Sequence, residues 1–147
     1  MRIEPDDYLQ AARDRLTDAY HLYADQRYAF SLYAAGLAVE SMLRAYRLRK
    51  NPEFDERHDL QRLLTASNVE EFVTPIEFVE ISSAIFNVLD RWKNDFRFAS
   101  ENRMKRHLKK LRLDRGIRGN FLKETCRISI EAANQIINIG ATRWSQR

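Results

Sequence analysis

Residues 27–50 read RYAFSLYAAGLAVESMLRAYRLRK and indicate a helical core. This stretch is apolar on almost every side until its last turns become basic, so it predicts a helix that lies in the centre of a bundle and is contacted on several sides. Ala34, Ala35, Gly36 and Ala38 would let neighbouring helices approach closely. Because Gly36 costs about 1 kcal/mol of helix propensity relative to alanine, close packing is the expected compensation.

The residues before this helix predict another helix that packs on it. From Pro5 onward, apolar residues recur at steps of three and four and form one stripe. An acidic pair follows Pro5, as is common in the first turn of a helix. The stripe is interrupted at Asp25-Gln26, so the chain predicts a two-helix hairpin that ends at Asn51-Pro52. The stripe consists of Leu9, Ala12, Leu16, Ala19, Tyr20 and Tyr23.

Start signals divide the middle of the chain into shorter helices. A short helix is expected from about Asp59, and two capping-box patterns follow it, at residues 67–70 and 74–77. The second pattern starts a helix that is expected to run to about Asp90 or beyond. The residues expected to face inward are Leu60, Leu63 and Leu64 in the short helix and Phe78, Ile81, Ile85, Val88 and Leu89 in the longer one.

The last third of the chain predicts a loop and two helices. Periodicity weakens between residues 91 and 100, where aromatic and charged residues alternate, so a loop is expected there. Ser100 and Asn120 are expected N-caps, and the basic helix between them ends near residues 114–116. The expected inward residues are Met104, Leu108 and Leu111, then Leu122, Cys126, Ile130, Ala133, Ile137 and Trp144. The fold class is therefore all-α, an up-and-down helical bundle of about five to six helices in a single domain over residues 1–147.

Composition excludes several classes of protein. The one cysteine, Cys126, leaves no intrachain disulfide and no cysteine zinc site. No apolar run reaches the roughly 18 residues of a membrane span, and no apolar signal region begins the chain, so the expected location is the cytoplasm. No glycine-rich phosphate loop, nucleophile-elbow serine or metal-spaced cluster is present, so we expect no metal and no cofactor.

Charge is distributed unevenly along the chain. Residues 1–100 carry 13 basic and 17 acidic side chains, whereas residues 101–147 carry 12 and 4, for net charges of −4 and +8. This polarity suggests an anionic partner for the C-terminal part. A basic amphipathic helix there would bind RNA or DNA phosphates, while a merely solvated face or an acidic partner protein remain alternatives. Its candidate binding residues are Lys105, Arg106, Lys109 and Lys110.

Four short segments occur together in this chain. They are the Tyr23 to Tyr28 junction, Ala38-Val-Glu40 with Leu43, His58-Asp-Leu60, and Trp92 through Phe98. In this combination and order they resemble the HEPN superfamily of small helical-bundle domains, whose Trp-x-x-x-x-Arg-Tyr segment is similar to the last of them, with Phe98 in place of tyrosine. The resemblance implies a domain that forms homodimers and binds nucleotides or RNA, as is common in the superfamily. It also implies a role in a toxin-antitoxin or defence system, with a nucleotidyltransferase or antitoxin partner.

Many members of the superfamily cut RNA without a metal, using an arginine, four to six intervening residues and a histidine late in the bundle. Here Arg103 and His107 are separated by three residues and Arg97 and His107 by nine, while Arg15 and His21, separated by five, lie in the first helix. The resemblance therefore implies a non-catalytic module that binds a nucleotide, RNA or a partner protein. The alternatives are a metal-independent endoribonuclease toxin that uses Arg97, Arg103 and His107 of both chains in a dimer, and a structural dimerisation protein.

Glu40, Arg97 and Phe98 are the candidate binding residues outside the basic helix. Glu40 interrupts an apolar helix, so its carboxylate needs a partner if it is buried, either Arg44 one turn later or Arg97. Arg97 precedes Phe98 and can present its guanidinium to a phosphate or a base. Alternatively, Arg97 ties its loop to Glu40 or to Asp95.

The histidines have different expected roles. His58 is expected to cap its helix or hydrogen-bond within the neighbouring loop. His107 lies among lysines and arginines, whose field resists protonation, so it could stay neutral as a base or an acceptor. A solvated position on the helix surface is the alternative for His107.

Overall fold

The computed structural model describes residues 1–53, 58–89 and 91–146, without the side chain of Leu89. Within these residues the chain has six α-helices, two short 3-10 helices and no strand, which confirms the all-α bundle. The predicted burial of Leu89 and the predicted helix end at Asp90 lie outside the described residues. The α-helices are α1 (Pro5–Ala24), α2 (Tyr28–Lys50), α3 (Leu60–Ser67), α4 (Pro75–Leu89), α5 (Glu101–Lys110) and α6 (Phe121–Ser145), and the 3-10 helices are Val69–Glu71 and Asn94–Phe98.

Helix α2 is the centre of the bundle, as its sequence predicts. Seventeen of its 23 residues are buried, and it packs against α1, α3 and α6. Every inward residue predicted for α3 and α6 is buried, and the buried apolar side chains of all six described helices form one core. None of the described helices has the length and hydropathy needed to cross a membrane.

Gly36 is the point at which the segment after α4 reaches α2. A Cβ at this position would lie 2.0 Å from Cδ1 of Trp92. The Nε1–H group of Trp92 donates to the carbonyl of Tyr33 at 3.0 Å, and the two rings stack with centroids 6.2 Å apart. The expected close packing at Gly36 is present, but its partner is an indole ring rather than a helix. Trp92 thereby anchors the 3-10 helix Asn94–Phe98, where the sequence had predicted a loop.

Three of the predicted helix starts are confirmed by hydrogen bonds. Ser100 Oγ and Asn120 Oδ1 each accept a hydrogen bond at 3.1 Å from the backbone N–H three residues later. Thr74 and Glu77 form the reciprocal capping box at the start of α4, at 2.8 and 3.2 Å. These caps satisfy backbone donors that a helix leaves free, so the short polar motifs predicted these three helix starts correctly.

Helix α5 ends one turn earlier than predicted. Its last residue is Lys110, and Arg112 adopts a left-handed conformation with φ of 60°. The chain therefore turns away before residues 114–116. As a result Leu111, which was predicted to face inward, is 46% exposed.

Two other predictions are wrong for reasons of local geometry. Tyr20 is exposed because it is rotated by about 100° from its buried neighbour Ala19 around α1. The pattern at residues 67–70 does not start an α-helix. Ser67 is instead the last residue of α3, its hydroxyl donates to a carbonyl of that helix, and Asn68 follows with φ of 50°.

Candidate functional site

Helix α5 carries five basic side chains for which the described residues supply no acidic partner. Met104 and Leu108 are buried in the core, so the basic residues occupy the other faces of the helix. In α6, by contrast, Arg127 pairs with Glu124 and Glu131. In the described part of the chain, none of the following forms an ion pair: Arg103, Lys105, Arg106, Lys109 and Lys110.

Glu101, the acidic residue of α5, is engaged by another helix. Its Oε1 accepts a hydrogen bond at 2.8 Å from the backbone N–H of Ala29, in the first turn of α2. The N-cap residue of α2, Arg27, contributes no side-chain cap, so the carboxylate of Glu101 takes that role at the positive end of the helix dipole. Glu101 thus fixes α5 to α2 and leaves the cations of α5 exposed to a ligand.

A cleft of about 430 Å³ lies beside α5, where the helix faces the segment that contains the 3-10 helix. Its volume falls within the range of about 300–1,000 Å³ that is usual for small-molecule sites. Phe98 is 78% exposed, which is high for a large apolar ring. The cleft is lined by Lys93, Asp95, Phe96, Phe98, Ala99, Arg103, Met104 and His107.

Helical spacing explains which side chains share the cleft. A 3-10 helix has three residues per turn, so Asp95 and Phe98 lie on the same face. In α5, Arg103 and His107 are four residues apart and also share a face. The sequence pointed to Phe98, Arg103 and His107 but missed Lys93 and Asp95 as site residues. The signal that could have found them is the alternation of aromatic and charged residues after Trp92. Which of these residues share a face becomes clear only when the segment is known to be a 3-10 helix.

The surroundings of His107 favour its neutral form by lowering its pKa. Burial lowers its pKa below the ordinary 6.5, the charges of Lys93, Arg103 and Lys110 lower the pKa further, and Asp95 opposes them. Its Nε2 is buried without a hydrogen-bond partner among the described residues. The sequence anticipated the effect of the cations, but burial, which only the fold reveals, contributes more.

We expect His107 to make the stability of the protein depend on pH. Because its pKa is lower in the folded than in the unfolded state, the unfolded chain binds more protons between the two values. The contribution of His107 to the free energy of unfolding is complete above about pH 6.5 and is lost as the pH falls through the folded pKa. Urea unfolding from about pH 7.5 to about pH 5 should show this loss, and His107→Gln should reduce it. Identical pH profiles for the two proteins would rule out this role.

Arg97 lies outside the cleft. It is exposed on the 3-10 helix, where its Nη1 donates to the carbonyl of Asn94 at 3.4 Å. Its guanidinium carbon is 4.7 Å from the centroid of the Phe98 ring. The structure therefore does not bring Arg97 together with Arg103 and His107 within one chain, although it places Arg97 against a residue of the cleft.

Glu40 is 3% exposed and lies inside the bundle. Its Oε1 accepts hydrogen bonds from Nε of Arg44 at 2.9 Å and from Nδ1 of His58 at 2.7 Å. The predicted pairing with Arg44 is thus confirmed. The predicted pairing with Arg97 is wrong, because Arg97 is exposed and contacts Asn94 and Phe98 instead. His58 reaches beyond its own loop and joins the start of α3 to the centre of the bundle.

Arg15 and His21 line a different groove of about 380 Å³, between α1 and α2. Nε of Arg15 lies 2.9 Å from a carboxylate oxygen of Asp18. Phe30 and Tyr33 form part of the same groove. The five-residue spacing of Arg15 and His21 therefore brings them together, but on α1 rather than beside α5.

Comparison with known proteins places this architecture in a family. The family model described as HEPN domain matches residues 6–144. No curated protein and no solved structure matches the chain. HEPN domains are often associated with RNA or resemble ribonucleases, and they often dimerise. Since the match covers nearly the whole chain and the described fold is an all-α bundle, the chain belongs to the HEPN domain family.

Proposed function

We propose that this HEPN domain binds single-stranded RNA through α5 and the cleft beside it. The observation that carries the proposal is the set of five basic side chains on α5 that lack ion pairs among the described residues. RNA phosphates would supply the missing negative charge, and the release of counterions would favour binding. Phe98 offers an exposed ring on which an unpaired base can stack.

Single-stranded RNA accounts for both features of this surface together. A free nucleotide would fill the cleft but leave most of the cations of α5 unused. An acidic protein would cover α5 but has no need of an exposed aromatic cleft. A single RNA strand can place its backbone along α5 and one unstacked base in the cleft.

The biological setting is also part of the proposal. Because HEPN domains often dimerise or bind RNA, we extend it to a homodimer in a prokaryotic toxin-antitoxin or defence system. A nucleotidyltransferase or antitoxin protein would be the partner. Light scattering of the purified chain measures the homodimer directly, and a monomeric mass would remove that part of the proposal.

The binding proposal is tested by fluorescence anisotropy with a labelled single-stranded RNA. If about five phosphates are contacted, raising the salt from about 50 to about 200 mM should weaken binding about a hundredfold. The dependence arises because each neutralised phosphate releases condensed counterions. Absence of binding at low salt, or binding that salt does not change, would overturn the proposal.

A second candidate function is metal-independent RNA cleavage, favoured by Arg103 and His107 in one cleft. A neutral imidazole can accept the proton of a ribose 2′-hydroxyl as its oxygen attacks the adjacent phosphorus. The bond from phosphorus to the 5′ oxygen of the next nucleotide then breaks, and that oxygen takes up a proton. Arg103 can stabilise the negative charge that develops on the phosphate.

Cleavage of single-stranded RNA in the presence of EDTA tests this second candidate. We expect the unmodified chain to cut and His107→Ala to be inactive, because the imidazole is the proton acceptor in this scheme. His21→Ala is the matched control, since it removes a histidine from the other groove. An unmodified chain that leaves RNA intact excludes cleavage but does not touch the binding proposal.

A further inference from the structure

We infer that the cleft beside α5 is a site for a guanine base, an inference that rests on the proposed binding of RNA. The proposed function requires only an aromatic surface and positive charge at this place. The cleft holds more than that, because a carboxylate lines it together with an exposed aromatic ring and cations. These three kinds of group together select one base.

The aromatic wall is Phe98, whose exposed ring contacts a neighbouring cation. The guanidinium of Arg97 lies 4.7 Å from the ring centroid, outside the set of residues that line the cleft. A cation over a ring face restrains the ring. A restrained ring loses less conformational entropy when a base stacks on it. Phe98 therefore suits the flat face of a nucleobase, but stacking alone does not distinguish one base from another.

The carboxylate of Asp95 supplies the discrimination. Asp95 is exposed and, among the described residues, forms no ion pair or side-chain hydrogen bond. A negative charge repels RNA phosphates, so a phosphate site alone does not account for it. A carboxylate accepts two adjacent N–H groups, and guanine has two such donors, N1–H and N2–H₂, on its Watson–Crick edge. Adenine and cytosine place a ring acceptor beside the amine, and uracil has a single N–H between two carbonyls.

The cationic wall complements the other edge of the same base. Arg103 and Lys93 both line the cleft and carry only hydrogen-bond donors. Guanine presents two acceptors, O6 and N7, on its Hoogsteen edge, which is the edge that arginine binds in bidentate fashion. The exocyclic amine of adenine would instead face these cations. Burial and the neighbouring cations lower the pKa of His107, which disfavours a further positive charge that would attract a phosphate into the space for the base.

The test compares the affinity of the full chain for closely matched RNAs. An oligoadenosine of about 12 nucleotides is compared with the same strand containing one central guanosine, by fluorescence anisotropy. We expect the guanosine strand to bind about tenfold more tightly. Inosine at that position, which lacks the 2-amino group, should give an intermediate affinity. Equal affinity for all three strands overturns the guanine site and leaves RNA binding intact, whereas no binding of any strand overturns both.

Two variants separate base recognition from general electrostatics. Asp95→Asn should abolish the preference for guanosine while oligoadenosine binds as well as before or more tightly, because one negative charge is removed. Glu80→Gln, at an exposed position on α4 outside the cleft, makes the same change in charge and should keep the preference. If Asp95→Asn tightens the binding of both strands equally and preserves the ratio of their affinities, Asp95 acts only through its charge. The proposed guanine site would then be wrong.

Discussion

Replacing Gly36 by alanine is expected to lower the free energy of unfolding by about 3 kcal/mol. The new Cβ would lie 2.0 to 2.2 Å from three atoms of the Trp92 indole. Helix α2 is buried on most sides, so its backbone cannot shift away from Trp92. The indole therefore has to move. Moving it breaks the hydrogen bond to the carbonyl of Tyr33 and leaves buried polar groups unsatisfied. Urea unfolding of the two proteins measures the loss.

Two comparisons show whether the contact with Trp92 is the cause. At Gly140 a Cβ would meet Sδ of Met42 at 2.7 Å, at the far end of a flexible side chain, so Gly140→Ala should cost less. In a Trp92→Leu background, Gly36→Ala should cost little or even stabilise, since alanine is the better helix former by about 1 kcal/mol. A loss of the same size in both backgrounds would show that Trp92 is not responsible.

The helices of this protein could be predicted because their signals are local. Ser100 and Asn120 cap helices through backbone groups only three residues away, and the apolar character of α2 is visible within its own residues. The end of α5 was predicted wrongly because no local signal in the sequence marks it. The left-handed conformation of Arg112 has no clear signal, because arginine is not a residue that favours it.

The candidate site could be predicted only in part because distant segments build it. The hydrogen bond from Ala29 to Glu101 joins residues 72 positions apart, and no periodic pattern connects them. The packing of Trp92 against Gly36 is equally non-local, and it decides the position of Asp95 and Phe98. Sequence reasoning therefore identified the cations of α5, which lie on one helix, but it missed the carboxylate of Asp95 that lines the cleft beside that helix.

Replacing four basic residues of α5 by glutamine is expected to weaken RNA binding about a thousandfold at about 0.1 M salt. The slope of log affinity against log salt should fall by about 3, because each lost phosphate contact to a single strand removes about 0.7. The helix should persist, since glutamine is a good helix former and Met104 and Leu108 keep their buried positions. The variant changes Lys105, Arg106, Lys109 and Lys110.

A second fourfold variant separates the α5 surface from the net charge of the protein. It removes the same number of positive charges from other parts of the chain, at Arg2, Arg13, Lys50 and Arg62. Three of these form ion pairs, with Glu4, Glu71 and Asp59, so their charges are already partly neutralised. We expect this control to keep most of its affinity and its salt slope, because counterion release depends on cations that touch the strand rather than on total charge. If the slope of log affinity against log salt falls equally in both fourfold variants, RNA binding depends on the total charge of the protein. In that case α5 is not the binding surface.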